Sequence, residues 1–423
     1  MTKVRLWSHQ TFRSFASRNF RLFFAGLAIS MTGTWVQQVA QVWLVLDLGG
    51  NGVELGITTA LQFAPVLLFG AWAGVLADRF DKRRVLFVTQ TAALLCALAL
   101  GLLTLAGTAT LTWVWVIAFA LGCVTAADNP ARRAFVTDLV PTDDVPNAVG
   151  LNSAVITASR IVGPAIAGVL IAGAGVGWCF LLNSASFVAV LAALAAMRPS
   201  EFRTAPPVPR EKGQVRAGLR YVWSTPSLRL PLLLTAVIGT IAFNYPVVLP
   251  LLAKETFSGD AGTYTLLFSL MSVGSLVGAL AAASRSRRGP RFMVGAAAAF
   301  GITTVVASAA PTLPLAVAAL VPVGLTGIAF MSSATAELQL NADPSMRGRV
   351  LALHAVVFLG STPLGGPLVG WITEAYGPRV GLAIGGVAAV LAVLVAVRAR
   401  RAHPISDLAD SWHARRDLHR LAA

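Results

Sequence analysis

The chain is 423 residues long, 56% hydrophobic and only 12% charged. Soluble domains are about one quarter charged, so this composition leaves too little polar surface to face water and excludes a soluble globular fold. The net charge of +15 would suit a nucleic-acid binder, but the basic residues stand in alternate loops between apolar runs, which excludes a continuous basic face.

A bilayer core takes about twenty apolar residues per helix. In chain order the apolar runs predict helices over 20–46, 55–77, 85–107, 111–127, 148–172 and 176–197, then over 228–253, 261–284, 292–309, 312–336, 350–373 and 380–397. The fold class expected is an all-α membrane protein of twelve transmembrane helices in two pseudo-symmetric halves, 20–197 and 228–397. A Pro-rich, charged linker over 198–227 joins them, and the tails are 1–19 and 398–423. Every Lys and Arg except Arg160, Lys254 and Arg379 falls in the tails, the linker or the even-to-odd loops, or, as Arg21 and Arg229 do, within two residues of them. Positive residues collect on the cytoplasmic side, so both termini are expected there, in a cell (plasma or inner) membrane protein. The polar first twenty residues do not read as a cleavable signal peptide. Cys96, Cys123 and Cys179 lie inside apolar runs with no disulfide or metal-ligand spacing.

Along the first helix Thr34, Gln38 and Gln41 recur at helical spacing, with Gln37 on the adjacent edge. Gln62, Asn244, Tyr245 and Ser333 are polar positions in the second, seventh and tenth helices. These eight are the candidate substrate-cavity residues, with interhelical hydrogen bonds as the plainer reading of each. The second helix carries Gly70 and Gly74, a small-xxx-small pair that lets helices approach closely. The pair recurs as Gly274 and Gly278 in the eighth helix. After Gly74 come Asp78, Arg79, Asp81, Lys82, Arg83 and Arg84: a topogenic basic loop on one reading, a gating latch on the other. In the latch, the Asp78 carboxylate faces a helix N-terminus of the other half, where the dipole favours negative charge. The fifth helix holds Gly163-Pro164, matched by Gly366-Pro367 in the eleventh. Two unlike motifs recurring at nearly one offset indicate duplicated halves, and proteins so built hold their solute near the midplane between the repeats. Arg160 lies mid-helix, where a cation is expensive and normally faces a cavity or partner. Asp128 and Glu337 are its candidate partners, either as a protonation-linked pair or as a fixed brace.

The run from Gly74 through Leu76, Ala77, Asp78 and Arg79 to the basic pair resembles the second-to-third-helix loop motif of the major facilitator superfamily. Asp81 stands where that motif usually has glycine, and the second-half copy lacks an acid matching Asp78. Gly150, Ser159, Gly163, Pro164, Ala167 and Gly168 keep the spacing of the fifth-helix motif of the superfamily's exporters, with serine and alanine for two glycines. The string GTWVQQVAQVWLVLDL and the loop DNPARRAFVTDLVPTDDVPNAVGLNSA resemble the branch with the enterobactin exporter and macrolide-efflux-like carriers. Where drug–proton antiporters carry an arginine four residues before a fourth-helix glycine, this chain has Ala118 before Gly122, a departure from the usual proton-coupling arrangement.

The resemblance implies alternating access without ATP hydrolysis, and no GxxxxGK[ST] phosphate loop occurs. The expectation is a secondary exporter of a hydrophobic or amphipathic small molecule, a drug-like compound or siderophore. It would run on the proton gradient, as a monomer, with no cofactor, metal, nucleic-acid partner or enzymatic activity. An importer on the same fold and a non-transporting membrane scaffold are the alternatives.

Overall fold

A computed structural model of the chain describes residues 12–203, 214–283 and 289–402. Six helices form the first half: α1 Arg18–Asp47, α2 Gly52–Arg79, α3 Lys82–Leu105, α4 Leu111–Asp138, α5 Val145–Ala174 and α6 Val176–Ala196. The second half comprises α7 Pro226–Thr256, α8 Ala261–Ala283, α9 Pro290–Ser308, α10 Leu313–Asn341, α11 Arg347–Tyr376 and α12 Pro378–Ala402. Eleven of these are long and apolar enough to cross a membrane by composition alone. The remaining one, α1, is 30 residues long and is diluted by its Thr and Gln side chains, so it completes the twelve through its packing rather than its hydropathy.

Helix ends follow local chemistry. Ser17, Asp81 and Thr110 cap α1, α3 and α4 by accepting the N–H groups of Phe20, Arg84 and Trp113, which satisfies donors with no intrahelical partner. Gly175 and Gly377 separate α5 from α6 and α11 from α12, with φ of +93° and +89°. Only glycine adopts that backbone freely, and its recurrence at equivalent joints marks the repeat.

Pairing repeats as well. α2 packs on α4, α3 on α4 and α6, and α1 on α5 and α6. Six helices later, α8 packs on α10, α9 on α10 and α12, and α7 on α11 and α12. Lipid supplies no hydrophobic drive between helices, so close backbone approach takes over. Gly274 and Gly278 lie against Val321 and Leu325 of α10, and Gly122 of α4 lies against Gln62 and Pro65 of α2. The halves meet through α2 with α11 and α5 with α8.

Two elements differ from expectation. α4 does not stop at 127 but continues through Pro130 to Asp138, because Asp128, Arg132 and Asp138 are paired within the helix bundle rather than released to water. α7 is broken: helix Pro226–Ile241 gives way at 242–244 and resumes as Tyr245–Leu251 and a wide turn, Leu252–Thr256. Pro246 and Pro250 lack N–H donors for the turns before them. Asn244 compensates by donating from Nδ2 to the Thr240 and Ile241 carbonyls at 2.7 and 3.2 Å. Between the halves, helix Gln214–Ser224 docks through Val222 onto Leu228, Leu338 and Val350. Its Tyr221 hydroxyl donates to Asp343 at 2.9 Å.

Candidate functional site: a pathway between the halves

One end of the inter-half seam is closed by backbone-to-backbone packing. Gly52 and Gly56 at the start of α2 lie directly on Gly370 and Gly366 of α11. Glu374 Oε2 accepts the Gly52 N–H at 2.9 Å, a carboxylate on a helix N-terminus, where it is favoured. Lys254 Nζ donates to the Leu46 carbonyl at 3.1 Å, again joining the halves. On the other side of the seam Gly168 of α5 lies against Thr265 of α8, and the Trp35 and Phe268 rings are 5.7 Å apart. This closed end is opposite the chain ends, which share one side because the number of crossings is even.

Toward the chain ends the seam parts. Val149, Ser153, Ile156, Arg160, Gly163, Pro164 and Ala167 recur every three or four residues and so share one face of α5. Gly163, Pro164 and Ala167 are buried, whereas Val149, Ser153, Ile156 and Arg160 are exposed. The stripe is covered above, where Gly163 meets α1 of the same half and the adjacent Gly168 meets Thr265 of the other half, and it is open from Arg160 downward. The α2–α11 seam behaves alike: Leu67 still touches Gly360, but one turn on, Gly70 has no neighbour among the described residues. The result is a cleft open on the side of the chain ends.

The fifth-helix motif builds the closed part of this wall. Gly163 receives Trp35 and the Thr32 backbone of α1, the Ser159 hydroxyl lies 3.2 Å from that of Thr32, and Ala167 and Gly168 are buried. Gly150, at the open end, has nothing against it among the described residues. Small residues therefore sit where α5 meets α1 of its own half and α8 of the other half, and the α5–α8 contact is one that must change if the halves move.

Arg160 and Asp128 are not brought together. The Arg160 guanidinium lies 5.0 Å from the centre of the Trp35 ring and makes no ion pair with a described residue. An arginine at a helix centre costs about 2.5–3.5 kcal/mol on insertion scales, and a cation–π contact at an exposed site returns about 0.5–1 kcal/mol. Ring stacking alone therefore does not settle this charge. Asp128 is instead saturated inside the first half. Its Oδ1 accepts from Thr89 at 2.8 Å and Gln90 at 2.7 Å, and its Oδ2 accepts from Arg132 Nε at 2.8 Å and Nη2 at 2.5 Å. Arg132 and Gln90 line a small cavity of about 10 Å³ with Phe23, Leu27, Leu86, Val190 and Leu194. Glu337 is buried on α10 and accepts from Asn341 Nδ2 at 3.0 Å.

The remaining predicted positions divide between wall and packing. Gln38 and Gln62 are half-buried. Gln37 is buried and accepts from Asn183 of α6 at 2.6 Å, a brace within the half. Thr34 and Ser333 donate to carbonyls of their own helices, Ser30 and Ala329. Gln41, Asn244 and Tyr245 are buried, and Asn244 repairs the α7 break. Of the expected latch, the side chains of Gly74, Asp78 and Arg79 lie outside the described residues. Arg83 donates to the Leu194 and Ala195 carbonyls at 2.9 and 3.2 Å, capping the C-terminus of α6, where a cation is favoured. Lys82 pairs with Asp138 at 2.7 Å. Arg84 is exposed, and its N–H is bound by Asp81, so the acid at the motif's glycine position caps α3.

Four participants escaped the sequence reading. Arg132 stands four residues after Asp128, a spacing that would have disclosed the pair had α4 been extended past Pro130. Thr89 and Gln90 carry no such signal. Glu374 is an acid at a span end, and only the fold places it over Gly52.

With this geometry in place, comparison with known proteins gives a consistent outcome. The family profile described as transmembrane secretion effector matches residues 9–419. The staphyloferrin A transporter of Staphylococcus aureus is 29% identical over 265 residues, 62% of this chain and 66% of that protein. The multidrug efflux pump Tap of Mycobacterium tuberculosis is 27% identical over 399 residues, 90% of this chain and 92% of the pump. Among solved structures, a bacterial homologue of the human lysosomal transporter Spinster superimposes with a TM-score of 0.72 at 15% identity, covering 92% of this chain and 97% of that one.

Proposed function

This chain belongs to the transmembrane secretion effector family of the major facilitator superfamily, whose members are transporters rather than enzymes, and from that premise we propose that it exports an amphipathic small molecule by alternating access. The observation that carries the reading is the α5 face that is sealed beyond Arg160 and open before it, a cleft accessible from one side only. Taking that side as cytoplasmic follows from the Lys and Arg distribution and places both termini inside a plasma or inner membrane. Solute enters the cleft between the halves beside Gln38 and Gln62. The halves then rock, the Gly52–Gly370 seam opens, and the chain-end side is held shut by the Asp78–Arg79 latch. A drug-like or siderophore cargo suits the efflux pump and siderophore transporter to which the chain is similar. A single chain, without nucleic acid, suffices for this cycle.

We assign the driving force to the proton gradient and its entry point to Asp128. That carboxylate accepts a proton only by releasing Thr89, Gln90 or Arg132, and release of Thr89 or Gln90 loosens α3 from α4. Inside-out vesicles with an acidified lumen test the whole reading, with one anionic and one cationic amphipathic dye, dansyl-phenylalanine and ethidium, as probes. Accumulation that collapses on adding a protonophore is expected. Loss of preloaded dye would mean import instead. A carboxylate on a helix N-terminus is worth about 0.3–2 kcal/mol, so Asp78→Asn should slow uptake by about two- to thirtyfold, and an unchanged rate would remove the latch.

A further inference from the structure

We propose that Arg160 and Trp35 form an anion-recognition point in the cleft, so that the preferred cargo is an amphipathic molecule carrying a carboxylate. The inference rests on the export reading above and deepens it by naming the charge of the solute. Arg160 sits at the level where the two halves separate, on the α5 face that runs from the open stripe of Val149, Ser153 and Ile156 into the sealed stripe of Gly163, Pro164 and Ala167. Any solute that reaches the apex of the cleft meets this residue. Arg160 as a residue is exposed there, its guanidinium lies 5.0 Å from the Trp35 ring centre, and no described carboxylate pairs with it. Of the other cations within the helices, Arg132 is committed to Asp128, and Lys254 to the Leu46 carbonyl at the closed end. Arg160 is thus a fixed positive charge with its donor fork unused, and a planar fork matches a carboxylate in a bidentate manner.

The surroundings fit the rest of such a molecule. Trp35 continues into Phe268 of the opposite half, and Phe268 into Tyr264, with ring centres 5.7 and 6.1 Å apart. Phe268 and Tyr264 are buried in the closed seam, which leaves the half-buried Trp35 ring as the surface on which an apolar or aromatic body lies with its acid group at Arg160. Gln38, one turn along α1 from Trp35, offers an amide on the same helix face. The placement also gives the charge a role in the cycle. Because Arg160 lies at the apex, an anion bound to it lowers the cost of moving that cation into the closed seam as the halves rock, whereas an empty site carries the bare charge.

The test uses the purified full-length protein and a matched pair of probes, dansyl-phenylalanine and dansyl-phenylalaninamide, which share one apolar body and differ in the carboxylate. Binding is read by energy transfer from tryptophan to dansyl. The wild type should bind the acid at least about tenfold more tightly than the amide, as hydrogen bonds to charged groups warrant. Arg160→Gln should abolish that preference while leaving amide affinity unchanged, and Arg160→Lys should restore part of it. A thermal unfolding midpoint equal to wild type establishes that each variant is folded. Equal affinity of the wild type for the two probes, binding of neither, or a preference that survives Arg160→Gln overturns the proposal. The same probes in inside-out vesicles separate the two readings. Selective binding of the acid without accumulation of either probe leaves the anion site standing and defeats export, while accumulation of both alike defeats the anion site and leaves export standing.

Discussion

At the scale of single residues the Asp128–Arg132 pair decides most. Both are buried in the first half, and removing one partner of a buried ion pair costs about 3–5 kcal/mol because the other charge is left uncompensated. Asp128→Asn should therefore lower stability by that amount in detergent unfolding. Asp128→Asn combined with Arg132→Gln should recover more than half of it, since the asparagine oxygen still accepts from Thr89 and Gln90 and no charge remains. The double variant then separates brace from proton carrier: folded but without pH-driven accumulation, it supports coupling through Asp128, and with accumulation intact it removes that residue from the proton path. Outside the spans, Asp260 caps α8 by accepting the Thr263 N–H at 3.0 Å, and that bond holds its carboxyl below the usual carboxylate range. A depressed carboxyl contributes stability above its unfolded pKa and loses it as pH falls through the folded value. Asp260→Ala should cost about 1 kcal/mol or less at pH 7, the side chain being exposed. The gap from wild type should close once the pH drops below the titration of the native carboxyl. Unfolding midpoints of both proteins across that range check the sign. Asp128 itself was legible only as a candidate partner of Arg160 at the end of the fourth helix. Its observed partner was not, because a helix that ends at residue 127 puts Arg132 in water.

At the scale of elements, the glycines that recur in the two halves were readable as close-packing sites, but not which helix each one meets. A helix periodicity fixes the angle between its own residues, not the azimuth at which a partner arrives. Gly366-Pro367 was seen as the echo of Gly163-Pro164. The structure adds that Gly366 and Gly370 close against Gly56 and Gly52, so that this seam has no side chain to cushion it. A Cβ at position 370 would land on the Gly52 carbonyl. Overpacking costs typically 1–3 kcal/mol, and here that cost falls only on the form in which the seam is shut. Gly370→Val should therefore shift the equilibrium toward the form open at the far end by about five- to 150-fold, with little loss of overall stability. Transport should fall accordingly, and a thiol introduced at Thr59, now buried beside this seam, should become reactive to an impermeant maleimide added from that end. An unreactive thiol in the Gly370→Val background would show that the seam is not a gate. The α7 break was missed for a related reason. Its prolines were visible, but an apolar run of adequate length reads as one helix until Asn244 is seen satisfying the carbonyls that the break exposes.

At the scale of the whole molecule, twelve crossings, a duplicated plan and the sidedness of charge were all legible, since they follow from counts of apolar and basic residues along the chain. The state in which the chain is found was not, because one sequence encodes both ends of the cycle and the choice between them rests on a balance of contacts between halves. That balance can be measured directly. In a background with Cys96, Cys123 and Cys179 replaced by alanine, a cysteine is placed either at Ile156, exposed on the open stripe of α5, or at Thr265, buried beneath Gly168. Inside-out vesicles present the chain-end side to the medium if the termini are cytoplasmic. An impermeant maleimide should then label the cysteine at 156 quickly and the one at 265 at least about tenfold more slowly, because reaching 265 requires the sealed contact to open. Adding Gly370→Val should reverse the order, slowing 156 as the chain-end side closes and exposing 265 from the other face, where right-side-out vesicles detect it. Reciprocal change at two positions on opposite sides of Arg160 is what one rocking motion produces, whereas independent loosening of each seam would raise both rates together.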